Sequence, residues 1–160
     1  RGVEVVFLVP IDAPRDMAAG RKNPKHKPMV DAIDALARHD NFTLAGIAQN
    51  LPGGGYQHIY VHSKIALVDD LWCTIGSTNV ANRSFYGDTE LNASFWHGPT
   101  VSSLRSELFL EHLAVDTSDL NDAEALRLFG QIARENADRY ARDQKLESLA
   151  VALDPITYGE

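Results

Sequence analysis

His62-Ser63-Lys64 sets an imidazole and an ammonium two residues apart, with Asp69 five residues past the lysine and Gly76-Ser77-Thr78-Asn79 further on. Side-chain direction on an extended chain alternates with period two, so the two basic groups project from one face and one phosphate could touch both. A glycine followed by small hydroxyl and amide residues supplies a tight turn, side-chain donors and a possible helix start, all of which favour a bound anion. Phosphodiester chemistry is what this set of residue types suits.

Those groups need a rigid carrier. Ile59-Tyr60-Val61 and Ile65-Ala66-Leu67-Val68 form an apolar, partly β-branched run that predicts one strand buried on both faces. Parity then puts Tyr60, His62, Lys64, Ala66 and Val68 on one face, and Val61, Ser63, Ile65, Leu67 and Asp69 on the other. Asp69 is therefore expected to be a turn or ion-pair residue rather than a phosphate contact. Asp69-Asp70 predicts a hairpin turn into a second strand, Leu71 to Ile75, which returns Gly76-Ser77-Thr78-Asn79 to the neighbourhood of His62.

The pattern HxKx(4)Dx(6)GSxN, filled here by His62, Lys64, Asp69, Gly76, Ser77 and Asn79, resembles that of the phospholipase D superfamily. The likeness continues through Arg83-Ser84 to Glu90, where members often carry an acidic residue that orients the histidine. Tyr60 to Lys64 and Val68-Asp69-Asp70 look most like the second motif copy of two-copy phospholipases D. Close resemblance covers residues 58–96, with a looser likeness in the opening strand and over Leu104 to Leu113.

The resemblance implies an active site built from two such motifs. One histidine attacks phosphorus to form a covalent phosphohistidine, the other protonates the leaving oxygen, and water or an alcohol completes the exchange. A histidine suits both roles because its reference pKa, about 6.5, lies near neutrality. His62 is one of the two. Lys64, Ser77 and Asn79 are expected to bind the phosphate oxygens, and Glu90 to accept the far ring proton of His62. No metal or cofactor is implied. The expected activity is hydrolysis or exchange of phospholipid headgroups; a homodimeric, metal-independent endonuclease and a non-catalytic half-domain are the alternatives.

Only one copy of the motif is present, so the second must come from a homodimer mate or from another half of a longer parent chain. The latter is favoured, because Arg1-Gly2-Val3 is not a natural start and Val3 to Val9 reads as a strand entered in mid-fold. Residues 1–160 are thus expected to form a single half-domain, the C-terminal half of a two-motif protein.

Composition agrees with one domain. A chain of 160 residues buries about 70% of its unfolded surface, enough for a core without disulfides or metal. The single cysteine, Cys73, excludes a disulfide framework. No apolar run reaches the length of a membrane-spanning helix, so the chain is expected to be a soluble domain whose membrane contact is peripheral. Net charge is −7, from 22 acidic and 15 basic residues. That balance disfavours a nucleic-acid partner and favours a phospholipid substrate.

Along the chain the expected order is strand Val3–Val9, a loop from Pro10 to Pro28, helix Met29–Arg38, strand Phe42–Ile47, the hairpin, strand Thr89–Trp96, a helix after Gly98-Pro99, and a last helix opened by a capping box at Asn121 and Glu124. This is an α/β class with a mixed β-sheet flanked by helices on both faces, a phospholipase D-like α/β sandwich. Arg21 to Lys27 is a basic island that could meet an anionic headgroup, although a solvated loop is the simpler reading. His58 shares the His62 face, yet i and i+4 on a strand are about 13 Å apart, too far for one metal ion. Gly53 to Gly55 read as a flexible loop, and His97 and His112 as cap or surface residues.

Overall fold

The computed structural model describes residues 2–24 and 27–159. Lys25 and His26, in the middle of the basic island, lie outside the described residues. The element order is β1 (Val5–Leu8), α1 (Arg15–Gly20), α2 (Lys27–Leu36), β2 (Phe42–Asn50), β3 (Tyr56–Ile59), β4 (Ile65–Val68), β5 (Trp72–Gly76), α3 (Asn82–Tyr86), β6 (Asn92–Trp96), α4 (Gly98–Leu113), α5 (Asp122–Ala141) and β7 (Ala150–Ala152). The mixed α/β class is as expected.

β2 is the organising strand. Residues Thr43 to Ala48 are buried, because β2 pairs with β1 in parallel and with β3 and β7 antiparallel. Phe109 and Leu113 of α4 and Ala125, Phe129 and Ala133 of α5 pack with Ala45 and Ala150 as the main core. The small alanines let the helices sit close to the sheet, and the two phenylalanine rings, 5.0 Å apart, fill the space between them. The capping box at the start of α5 forms: Asn121 accepts from the Glu124 amide at 2.9 Å while Glu124 accepts from the Asn121 amide.

The structure departs from the sequence expectations in three elements. The run from Ile59 to Val68 is not one strand: β3 pairs only with β2, β4 only with β5, and residues 60–64 lie between them outside either ladder. The strands consequently form two sheets, one of β1, β2, β3 and β7 and one of β4, β5 and β6. β4 is also not buried on both faces; Ala66 and Val68 are exposed while Ile65 and Leu67 are half-buried. Alternation of burial, which the apolar composition concealed, is what an antiparallel strand with one open face shows.

The other two departures are an element the local pattern hid and one it gave no sign of. The Pro10–Pro28 loop contains α1, whose Arg-Asp-Met-Ala-Ala run has good helix formers but is only 6 residues long and has no side-chain cap. β7 has three residues and follows a helix, too short to register as a period-two pattern, and exists because it completes an edge of β2.

Candidate functional site

The β4–β5 hairpin sets the positions of the motif residues. Asp69 and Asp70 both adopt left-handed backbone, with φ of 53 and 47, the paired positive values of a two-residue turn that matches strand twist. The Leu71 amide donates to Val68 O at 3.0 Å. Pairing then runs from Val68 opposite Trp72 to Ile65 opposite Ile75, and one further bond, Gly76 N–H to Lys64 O at 3.0 Å, carries it beyond the strand. That bond brings the Gly76–Asn79 segment beside His62 and Lys64.

The turn end is fastened to α4. Asp70 accepts from Arg105 Nε at 2.8 and 3.0 Å, and the other guanidinium nitrogens donate to Thr117 Oγ1 at 3.1 Å and Leu120 O at 3.0 Å. Arg105 is only 3% exposed. Of the two roles expected for Asp69, turn or ion pair, it takes the turn, with φ of 53, while its neighbour Asp70 makes the ion pair.

At the opposite end an open pocket of about 680 Å³ is lined by His62, Lys64, Ser77, Asn79 and Glu90, with Gly76, Asp88 and Thr89 completing it. His62 and Lys64 meet there although they lie off the strand. The Lys64 ammonium donates to the His62 carbonyl at 2.6 Å, so the lysine folds back over the histidine and places a cation at the pocket wall. The His62 ring is 6.0 Å from that of exposed Tyr60.

Glu90 precedes β6 instead of lying within a strand that begins at Thr89. Its carboxylate accepts from Ser77, Ser84 acts on it as well, and among the described residues no hydrogen bond joins it to His62. Ser77 Oγ donates to Glu90 Oε2 at 2.5 Å and accepts from the Leu91 amide at 3.0 Å. The Ser77 bond, then the Ser84 bond, with Lys64 adding a favourable charge, hold the Glu90 carboxyl below its usual range, so it is ionised. Ser77 has a single O–H. Committed to Glu90, that hydroxyl is not an available donor for a phosphate in this arrangement.

Ser84, which the motif spacing gives no role, belongs to the site. It is buried in α3, interacts with Glu90, and accepts from the Asn79 amide at 3.2 Å. It thereby links the carboxylate to the backbone of the motif asparagine. A polar residue on the inner side of a short helix beside the motif was the available signal. α3 itself spans only Asn82 to Tyr86.

Other candidates resolve into structural roles. His58 bonds Asp12 through Nδ1 at 2.9 Å and the Tyr140 hydroxyl through Nε2 at 2.8 Å, tying β3 to the segment after β1 and to α5. Within the basic island, Arg21 donates to Tyr158 O at 2.9 Å and to Pro155 O, and pairs with Asp34, while Lys27 pairs with Asp31. These two cations are turned toward their own chain. His97 is a cap, accepting from the Thr100 amide at the start of α4.

Large apolar side chains stand exposed on the segments that carry the site: Tyr60, Val80, Phe85, Tyr86 and Leu91, the last 83% exposed. No helix among the described residues is long and apolar enough to cross a membrane.

The family model described as cardiolipin synthase, PLD-like domain, matches residues 1–112. The chain is 32% identical over 123 residues to phospholipase D alpha 3 of Arabidopsis thaliana, covering 63% of this chain and 15% of that protein. It is 40% identical over 80 residues to phospholipase D zeta 1 of the same plant, covering 39% of this chain and 7% of that protein. With cardiolipin synthase A of Pseudomonas putida the identity is 29% over 138 residues, 84% of this chain and 25% of that protein. The chain thus spans a quarter or less of each of these relatives.

Proposed function

The chain belongs to the phospholipase D superfamily, and from that membership we propose that it supplies one half of a phosphodiesterase site that hydrolyses or exchanges phospholipid headgroups. The observation that carries this reading is the convergence of His62, Lys64 and Asn79 on one pocket with an ionised Glu90 beside them. Cation, imidazole and amide on one wall suit a phosphodiester, and phospholipase D and cardiolipin synthase are the names its relatives carry.

In this mechanism His62 works with a histidine from a second motif half. One imidazole nitrogen forms a bond to phosphorus as the ester bond to the headgroup oxygen breaks, and the other histidine delivers a proton to that oxygen. Water or an alcohol, giving up its proton to the second histidine, then attacks phosphorus and the P–N bond breaks. Splitting the displacement into two steps lowers each barrier. Lys64 neutralises the non-bridging oxygens and the Asn79 side-chain amide orients them, the term that dominates phosphoryl transfer. Ser77 acts through Glu90: it holds the carboxylate in place and leaves the phosphate to its neighbours. Apolar residues exposed around the pocket, such as Tyr86 and Leu91, suit a surface covered by the second half, which a parent chain or a homodimer mate would contribute.

The test is to offer the protein, with a second motif half supplied by its parent chain or a homodimer mate, phosphatidylcholine, phosphatidylglycerol and single-stranded DNA, and to look for a covalently modified histidine by mass spectrometry after acid-free quenching. Lipid turnover with a phosphatidyl group trapped on a motif histidine, and loss of turnover in His62→Ala, is the expected result. Turnover retained in His62→Ala would remove that residue from the chemistry, and cleavage of DNA alone would move the substrate to nucleic acid.

A further inference from the structure

Asn92, the first residue of β6, stands opposite Gly76, the last of β5. A Cβ built on Gly76 would lie 1.8 Å from Asn92 Oδ1 and 2.4 Å from Leu91 O. The Asn92 amide therefore occupies the volume that any side chain at position 76 would need. From there it reaches the next turn residue but one: Nδ2 donates to Thr78 Oγ1 at 2.5 Å, and the Thr78 amide donates to Oδ1 at 3.4 Å. Both polar atoms of the Asn92 side chain are spent on a single residue of the turn.

Thr78 is the one member of Gly76-Ser77-Thr78-Asn79 that does not line the pocket; the other three do. We propose that Asn92 is a positioning residue for the phosphate-binding turn, gripping Thr78 from outside so that Ser77 and Asn79 are presented inward. Ser77 can then hold Glu90, and Asn79 can face the substrate. The glycine at 76 is the complement of this grip, since only a residue without a side chain leaves room for the amide. The inference rests on reading the pocket as a phosphate site. Asn92 is exposed, and an exposed polar side chain contributes little to global stability. Its loss should register in binding and turnover, not in unfolding.

The experiment compares inorganic phosphate binding, by calorimetry, in the protein and in its Asn92→Ala, Thr78→Val and doubly substituted forms, together with their unfolding midpoints. The expected result is that each single change weakens phosphate binding about tenfold, as misplacing a contact by a fraction of its length does. The double change should weaken it no further, because both remove one grip. With a second motif half present and phosphatidylcholine as substrate, kcat should fall more than KM rises, while the unfolding midpoint of the chain stays put. Unchanged phosphate binding in Asn92→Ala, or losses that multiply in the double variant, overturns the role of Asn92 alone. If the unsubstituted protein binds no phosphate, the reading of the pocket falls and this inference falls with it. Should Asn92→Ala not fold, Thr78→Val carries the same expectation and the same refutation.

Discussion

The Asp70 carboxylate, in the β4–β5 turn, is held by the almost fully buried Arg105 of α4 at 2.8 Å. That pair, with the His97 amide donating to Leu71 O at 3.1 Å, registers the hairpin whose far end carries His62 and Ser77 against the helical layer. A buried pair of this kind is costly to half-dismantle, because the surviving charge is left without a partner. Arg105→Met is expected to lower stability by about 3–5 kcal/mol, read as a shift of the urea midpoint. A shift equivalent to less than about 1 kcal/mol, the worth of a surface pair, would mean that solvent reaches Asp70 freely.

Gly76→Ala forces a methyl into the Asn92 amide and the Leu91 carbonyl. Backbone oxygen cannot rotate away, so the β5–β6 ladder must open at this end. A loss of about 1–3 kcal/mol is expected from the overpacking, with turnover lost in full. Denaturant unfolding alongside a lipid assay checks both. Wild-type turnover in Gly76→Ala would show that the ladder end is pliable.

Asn136 of α5 is buried and ties the segment leading into β7: its two N–H groups donate to Ser148 Oγ at 2.8 Å and Ala150 O at 2.9 Å, with Ser148 O sharing one of them at 3.2 Å, and its oxygen accepts from the Glu147 amide at 3.1 Å. Asn136→Leu keeps the volume and strands those partners. With each unmet buried group costing about 1–3 kcal/mol, a total near 3 kcal/mol is expected, together with faster amide exchange in β7. Exchange in β7 that is no faster than in the unsubstituted chain would assign its anchoring to the ladder with β2 alone.

His112 lies in the last turn of α4 with its ring edge-on to Phe129, and burial pushes its pKa below the usual 6.5. Since the folded chain binds that proton less readily than the unfolded chain, stability is complete above the unfolded value and falls as pH drops from there toward the depressed folded value. The urea midpoint should therefore decline between pH 7.5 and pH 5.5. In His112→Gln that decline should be smaller. An equal decline in the two forms would place the titrating group elsewhere.

Much of the site was legible because its signal is local. The spacing of His62, Lys64, Gly76, Ser77 and Asn79 needed only a two-residue turn at Asp69-Asp70 to bring the two segments together, and both aspartates adopt the positive φ that such a turn demands. The capping box of α5 was legible for the same reason, since Asn121 and Glu124 satisfy each other within one helical turn. Less legible were relationships between residues distant in sequence. The apolar run from Ile59 to Val68 reads as one strand, but whether it stays one depends on who pairs with it, and β2 takes the first part while β5 takes the second.

The sequence by itself determined the residue types that meet in the pocket, the hairpin that juxtaposes them, and the family. These follow from residue type and short-range backbone preference. Tertiary structure alone decided the partner of Glu90, the choice of Asp70 over Asp69 for the ion pair, the division of the strands into two sheets and the grip of Asn92 on Thr78. Each of those depends on which of several equally capable donors and acceptors the packing of separate elements brings within hydrogen-bond reach, about 3 Å, and a distance that short between remote residues is not written in their spacing along the chain.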